Sequence, residues 1–415
     1  MRPLKTRRVV HDTMTSRERL LAAIEHREPD RVPICFRDVA PLEHLWRDPF
    51  ERALVLRDMG VDDKLFLHPP VTDAAEVEVD AVGSLYAVYG TGMWPIHPDV
   101  TVREWEDVSS DGRYTIVHKA LDTPKGPLVM AARRTDDWRV TSLPLVSDHL
   151  WSRGVEFLIK GEDDLDRLRY ILHDPLSGDL SEFRERVGAV KTFAAKHDIL
   201  VEGDVNAASN IALSLRGPTN LMCDSVENPA FIEELLDIIM DWNMKRLELI
   251  LDIGVDTVYH TACYETTAFW SPEMYRRFFR PLLERKLTLI HEAGARLHYY
   301  MDLGVMPLID DFGEMGIDIL STLDPAPFGD TDIAEVKKRI GDRVCLWGGV
   351  DVPHVIERGT PEQVRQAVRD VIEIAADGGG FVLSTADSVW DAGAYDNVMA
   401  FIVAGLEYGR YPFSH

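Results

Sequence analysis

Five short apolar runs in the second half of the chain each end in a polar residue. Residues 256–259 lead to His260, 295–297 to His298, 319–323 to Asp324, 344–350 to Asp351, and 381–386 to Asp387. Each run has the length of a buried strand, and long amphipathic stretches separate most of them. Alternation of this kind predicts a parallel sheet flanked by helices. In a parallel barrel the residues just beyond the strand C-termini converge on one bowl. The pattern therefore nominates His260, Glu265, His298, Asp324, Asp351 and Asp387 as site residues.

The first half is less regular. Residues 15–28 read as a helix with Leu20, Leu21 and Ile24 on one face, opened by a Thr15/Glu18 capping box and closed by Pro29. Residues 31–38 and 64–68 are candidate strands. Residues 75–150 alternate with period two over 101–106, 113–120, 127–133 and 137–146, which predicts antiparallel strands in a β-rich insertion. The expected role of the insertion is a wall or lid over the bowl. Helices are expected at 158–172, 180–197 and 228–253. The strand at 200–206 brings Glu202, Asp204 and Asn206 to its end. The whole of 15–415 reads as one domain. Residues 1–14 read as a disordered extension without a signal-peptide core, with Met14 as an alternative start.

Composition narrows the function classes. The chain has 415 residues, 46% of them apolar, and a net charge of -25. Such an acidic surface repels phosphate backbones and anionic lipid, so nucleic-acid and membrane roles are disfavoured. No apolar run reaches the roughly 20 residues of a membrane span. The four cysteines, Cys35, Cys223, Cys263 and Cys345, form no CxxC pair, as expected for a reduced cytoplasmic protein. There is no GxxxxGK[ST], HExxH or GxSxG. The DGGG at 377–380 precedes a strand, so it reads as a turn and not as a dinucleotide fingerprint.

The opening MTSRERLLAAIEHREPDRVPI is similar to the start of the uroporphyrinogen decarboxylase superfamily. So are DTPKGPL (122–128), FLIKGEDDLDRLRYIL (157–172), SLRGPTN (214–220), SPEMYRRFFRP (271–281), GGVDVPHVIERGTPEQVRQAV (348–368) and Asp396–Asn397. The matches fall in family order over most of the chain. The resemblance implies a (β/α)8 TIM barrel with its site at the strand C-termini. It also implies either decarboxylation or zinc-assisted methyl transfer among small substrates, corrinoid proteins and thiols.

The functional motifs depart from both branches. The decarboxylases' arginine-rich segment is here ICFRDVAP, keeping only Arg37. Their catalytic aspartate segment is here FLHPP, with His68. Their late histidine position falls near Ala386–Asp387. A tetrapyrrole with four carboxylates needs partner arginines, so uroporphyrinogen itself is an unsuitable substrate. The methyltransferases bind zinc through an HxC pair and a later cysteine. LHYYMD keeps His298 but places Tyr300 at the first cysteine position, and Asp387 falls at the second. Oxygen in place of sulfur makes such a site harder.

These readings give a leading expectation of a metal-assisted methyltransferase. A divalent metal, zinc first, would be held by His298, Asp387 and Glu265, with His260, Asp324 and Asp351 as catalytic groups. Substrate contacts would come from Arg37, His68, Glu202, Asp204, Asn206, Arg216, Tyr299 and Tyr300. The DxHxxG loop of cobalamin domains is absent, so the corrinoid would ride on a separate protein. A homodimer is among the expected assemblies. The alternatives are a metal-independent decarboxylase or lyase and a ligand-binding barrel without chemistry. Each residue also has a structural role to set beside its chemical one. Strand-end histidines close hydrogen-bond networks, Asp387 caps a turn, and Asp324 and Asp351 precede proline turns.

Overall fold

The computed structural model describes residues 12–69, 97–136, 138, 142–147, 149–174 and 180–412. In chain order its strands are β1 (Lys64–Leu67), β2 (Thr101–Val108), β3 (Thr115–Thr123), β4 (Gly126–Arg134), β5 (Gly154–Glu156) and β6 (Leu200–Asp204). They continue with β7 (Thr257–Thr261), β8 (Arg296–Met301), β9 (Ile319–Thr322), β10 (Cys345–Val350) and β11 (Phe381–Thr385).

Seven of these form one parallel, curled sheet in the order β1-β6-β7-β8-β9-β10-β11. Helices follow the strands: Pro229–Asp252 precedes β7, Arg280–Glu292 precedes β8, and Pro361–Ala375 precedes β11. The last of these shows why. Val364, Val368, Val371, Ile372 and Ala375 recur at helical spacing and are buried, and a Thr360/Gln363 capping box opens the helix. β6, β7, β9, β10 and β11 are buried at every position, as strands covered on both faces must be.

The expected first strand at 31–38 is not a regular one. Pro33 has no N–H to give a ladder. The segment still lies beside β11: Leu383 N–H donates to Pro33 at 2.9 Å and Cys35 N–H donates to Leu383 at 3.1 Å. Val389 N–H donates to Asp38 at 2.9 Å, and Asp62 N–H reaches Ile34 from the approach to β1. Seven strands with a bridging segment at the eighth place are consistent with a TIM-barrel-like fold.

The insertion forms a four-stranded antiparallel sheet, β2-β3-β4-β5. Three of the four expected strands are there. The fourth, at 137–146, lies partly outside the described residues, and its described part is irregular, while β5 supplies the remaining strand. The early part of the expected insertion, 75–96, also lies outside the described residues. The connection between β4 and β5 is seated on the helix Ala208–Arg216, where Trp151 Nε1 donates to Ser214 Oγ at 3.0 Å. Trp151 also packs edge-on against Tyr264, in the loop after β7.

The helix expected over 158–172 is reduced to a turn at Glu162–Asp164 and the short helix Leu165–Leu168. Ile159 N–H is taken by Leu215, and the Asp164 carboxylate takes Lys160 N–H at 2.7 Å, so the chain before Gly161 stays extended. Of residues 1–14, 1–11 lie outside the described residues. Thr13 and Met14 donate to the Asp30 carboxylate, and Asp12 pairs with Arg31. Among the described residues no helix is long and apolar enough to cross a membrane.

Candidate active site

The floor of the bowl is a buried chain of charge across β1, β6 and β8. The Glu202 carboxylate, with no exposed surface, forms an ion pair with Lys64 Nζ. Its Oε1 lies 2.8 Å from His298 Nδ1 and accepts from Thr257 Oγ1 at 2.9 Å. Burial alone would raise the Glu202 pKa, but Lys64 and His298 hold it down at about 2. Burial, helped by the charge of Lys64, brings His298 down to about 4. At neutral pH His298 is therefore an uncharged imidazole. Its Nδ1–H donates to Glu202, and its Nε2 presents a bare lone pair. That Nε2 is buried and has no hydrogen-bond partner among the described residues.

The wall above is aromatic and cationic. Lys64 Nζ stands 4.7 Å from the Phe66 ring centroid, 4.8 Å from Trp347 and 5.3 Å from Tyr259. The Arg37 guanidinium lies 3.8 Å over the Tyr300 ring. It also reaches Asp38 at 3.2 Å and Asp387 at 3.5 Å. Tyr300 Oη donates to Asp387 Oδ1 at 2.9 Å. Arg37, Lys64, Tyr259, His298, Tyr300, Trp347 and Asp387, with hydroxyls from β9 and β11, line a pocket that opens to solvent and holds about 270 Å³ when the open space at its mouth is counted.

Beside this wall lies an acidic group. Asp302 is brought up to about 7, first by burial and then by Asp387. Asp324 is brought up to about 8 by burial, with Asp387, Asp302 and Asp351 adding to it. Asp324 has no exposed surface, and neither carboxyl oxygen has a partner among the described residues. The backbone that delivers it is strained, with Thr322 at φ +82° and Leu323 at φ +57°. Gly348 makes this arrangement fit, since a Cβ there would lie 2.1 Å from the Thr322 carbonyl oxygen.

Several expected site residues lie elsewhere. His260, Glu265 and Tyr299 are together, but on the helical side of the sheet. Tyr259 pairs with His298 and His260 with Tyr299 in the β7–β8 register, so period two sends the first pair inward and the second outward. There His260 Nδ1 is 3.0 Å from Lys286 Nζ, and Tyr299 Oη donates to Glu265 at 2.9 Å. This corrects the catalytic reading of His260 and the substrate-binding reading of Tyr299. Asp351 caps the turn after β10, accepting from His354 N at 2.6 Å. Arg216 pairs with Asp224 at 2.7 Å and holds the Ile159 and Lys160 carbonyls, so it ties the insertion to its helix. The Asn206 carbonyl anchors Lys286 and Asn243. His68 and Asp204 meet at 3.2 Å near the rim.

The expected metal set of His298, Asp387 and Glu265 does not converge. His298 Nε2, oriented from behind by a carboxylate, has the form of one metal ligand. Asp387, however, is engaged by Tyr300 and faces Arg37, and Glu265 is behind the sheet. Among the described residues no group of three or more His, Cys, Asp or Glu side chains is placed to hold a metal. The donors present do not fit the implied zinc.

Sequence reasoning missed Lys64, Tyr259, Asp302 and Trp347. A lysine opening a four-residue buried strand, KLFL, was the available signal for the first. The other three sit within or beside apolar runs and carry no comparable mark.

The family model for uroporphyrinogen decarboxylase (URO-D) matches residues 156–408. The chain belongs to this family. The methylcobamide:CoM methyltransferase MtaA of Methanosarcina barkeri is 22% identical over 231 residues, 54% of this chain and 61% of that protein. The chain thus spans less than two thirds of that relative's length. The uroporphyrinogen decarboxylase of Chlorobaculum tepidum is 26% identical over 147 residues, 35% of this chain and 39% of its own. A methyltransferase structure from Methanosarcina mazei aligns with a TM-score of 0.56 at 19% identity, covering 95% of this chain and 99% of that one. The chain resembles the methyltransferase branch of the family at low identity.

Proposed function

We propose that this member of the family transfers a methyl group from a small methylated compound to a nucleophilic acceptor, a corrinoid on a separate protein or a thiol. The observation that carries the reading is the pair Asp302 and Asp324, buried carboxyls brought up to about 7 and about 8 next to the cavity wall. When a methyl group leaves oxygen or nitrogen, the bonding pair stays on that atom. The acceptor's lone pair forms the new bond to carbon, and the abandoned heteroatom needs a proton. A carboxylic acid that keeps its proton near neutrality supplies it. Tyr300, which bonds Asp302, and Asp387, which adds to the shift of both acids, line the pocket and would relay that proton. The Glu202–His298 pair fixes the floor against which the substrate sits. The curled sheet is taken as a closed (β/α)8 barrel, and the reading carries a cytoplasmic location with it.

The test is methyl transfer assayed with reduced corrinoid protein and with thiols, wild type against Asp324→Asn. Methylated acceptor formed by the wild type and reduced in the variant supports the proposal. Turnover that releases carbon dioxide and methylates no acceptor would replace it with a second reading, a carboxy-lyase. That reading is favoured by one observation, the Arg37 guanidinium at the cavity wall as an anchor for a substrate carboxylate.

A further inference from the structure

Two polar atoms in the cavity lining are buried without a hydrogen-bond partner among the described residues, Tyr259 Oη and His298 Nε2. They come from directly paired positions on β7 and β8, and their rings meet edge to face with centroids 4.8 Å apart. Tyr259 is 5% exposed and His298 2%. A buried polar group without a partner is costly, so two from paired positions in the pocket wall indicate what fills it. Their chemistry is complementary. The Tyr259 phenol carries an O–H that can donate. His298 gives its Nδ1–H to Glu202 and can only accept at Nε2.

From this we infer that Tyr259 and His298 together read a hydroxyl group, and that the methylated substrate is a hydroxyl-bearing oxygen compound, not a methylated ammonium ion. The inference rests on the methyl-transfer reading above and narrows its substrate class. A hydroxyl both gives and takes a hydrogen bond, which is what one donor beside one acceptor requires. A quaternary ammonium gives none, and it binds through open aromatic faces. Here the faces are taken. Lys64 stands within reach of Phe66, Tyr259 and Trp347, and Arg37 covers Tyr300. A second cation would meet like charge at each ring.

The experiment is calorimetric binding to the full chain, without any methyl acceptor. The probes are 2-methoxyphenol, its hydroxyl-free counterpart 1,2-dimethoxybenzene, and tetramethylammonium. 2-Methoxyphenol should bind roughly 10-fold more tightly than 1,2-dimethoxybenzene, and tetramethylammonium should bind more weakly than either. His298→Leu, which removes the acceptor that only a hydroxyl can donate to, should bring the first ratio close to one. If that variant fails to fold, His298→Met provides the same comparison. Equal binding of the two ethers, tetramethylammonium as the tightest probe, an unchanged ratio in both variants, or no binding of any probe would each overturn the inference. Hydroxyl-selective binding without methyl transfer would remove only the transfer reading. Transfer from methylammonium donors would remove only this inference.

Discussion

Glu202 Oε1 stands 2.8 Å from His298 Nδ1, and its other oxygen is held by Lys64. One carboxylate therefore neutralises a buried ammonium and sets the tautomer of a buried imidazole. Removing it strands the Lys64 charge in the interior. Glu202→Ala is expected to lose about 3–5 kcal/mol of stability, read from urea unfolding. A loss below about 1 kcal/mol would mean that the pair is solvated.

The protonation of Asp324 makes stability depend on pH. In the fold its carboxyl keeps a proton up to about 8, against an ordinary value of 3.8. Between those limits the native chain binds more protons than the unfolded one, so stability falls as pH rises through that window. Asp324→Asn removes the titration. The variant should gain about 1–3 kcal/mol over wild type at the alkaline end and none near pH 4. Parallel melting curves for the two proteins across this range would contradict the assignment. Methyl transfer by the wild type should decline as pH passes 8.

Arg37 pairs with Asp387 and stacks on Tyr300, at the two positions that replace the cysteine ligands of the methyltransferases. Wild-type protein should therefore carry well under one equivalent of zinc after dialysis. Arg37→Ala removes the cation facing Asp387 and should bind zinc more tightly, as measured by mass spectrometry and competition with a fluorescent chelator. One tightly held equivalent in the wild type, lost in His298→Ala, would restore the zinc expectation.

At the end of β9 the Thr322 carbonyl fills the space that a side chain at position 348 would need. Gly348→Ala should cost more than about 3 kcal/mol and yield little soluble protein. Thr322→Gly relaxes a φ of +82° and should change stability by no more than about 1 kcal/mol either way. A well-folded Gly348→Ala protein would show that the Asp324 turn is not locked.

Much of this was written in the order of residues. The apolar runs located five strands, and their polar ends brought His298, Asp324 and Asp387 to one region. Pairing register was not readable. The run at 256–259 ends at His260, so the histidine looked like the bowl residue, yet register faces its neighbour Tyr259 toward His298. A one-residue change in phase reverses every side chain of a strand, and strand ends alone do not fix that phase. Lys64 and Glu202 were illegible as a pair because neither position reveals the other, and they lie 138 positions apart along the chain.

The bridging segment that holds Arg37 lies against β11 from the far end of the sequence, and the Ser388–Asp38 hydrogen bond joins positions 350 apart. During synthesis the cavity wall therefore cannot form until β11 and Ser388 have left the ribosome. Arg37 must wait, without the Tyr300 ring or the Asp387 carboxylate, while the intervening strands emerge one by one. A nascent chain of this protein gains the pocket wall only once β11 and Ser388 have emerged, and a product truncated before β11 would lack it.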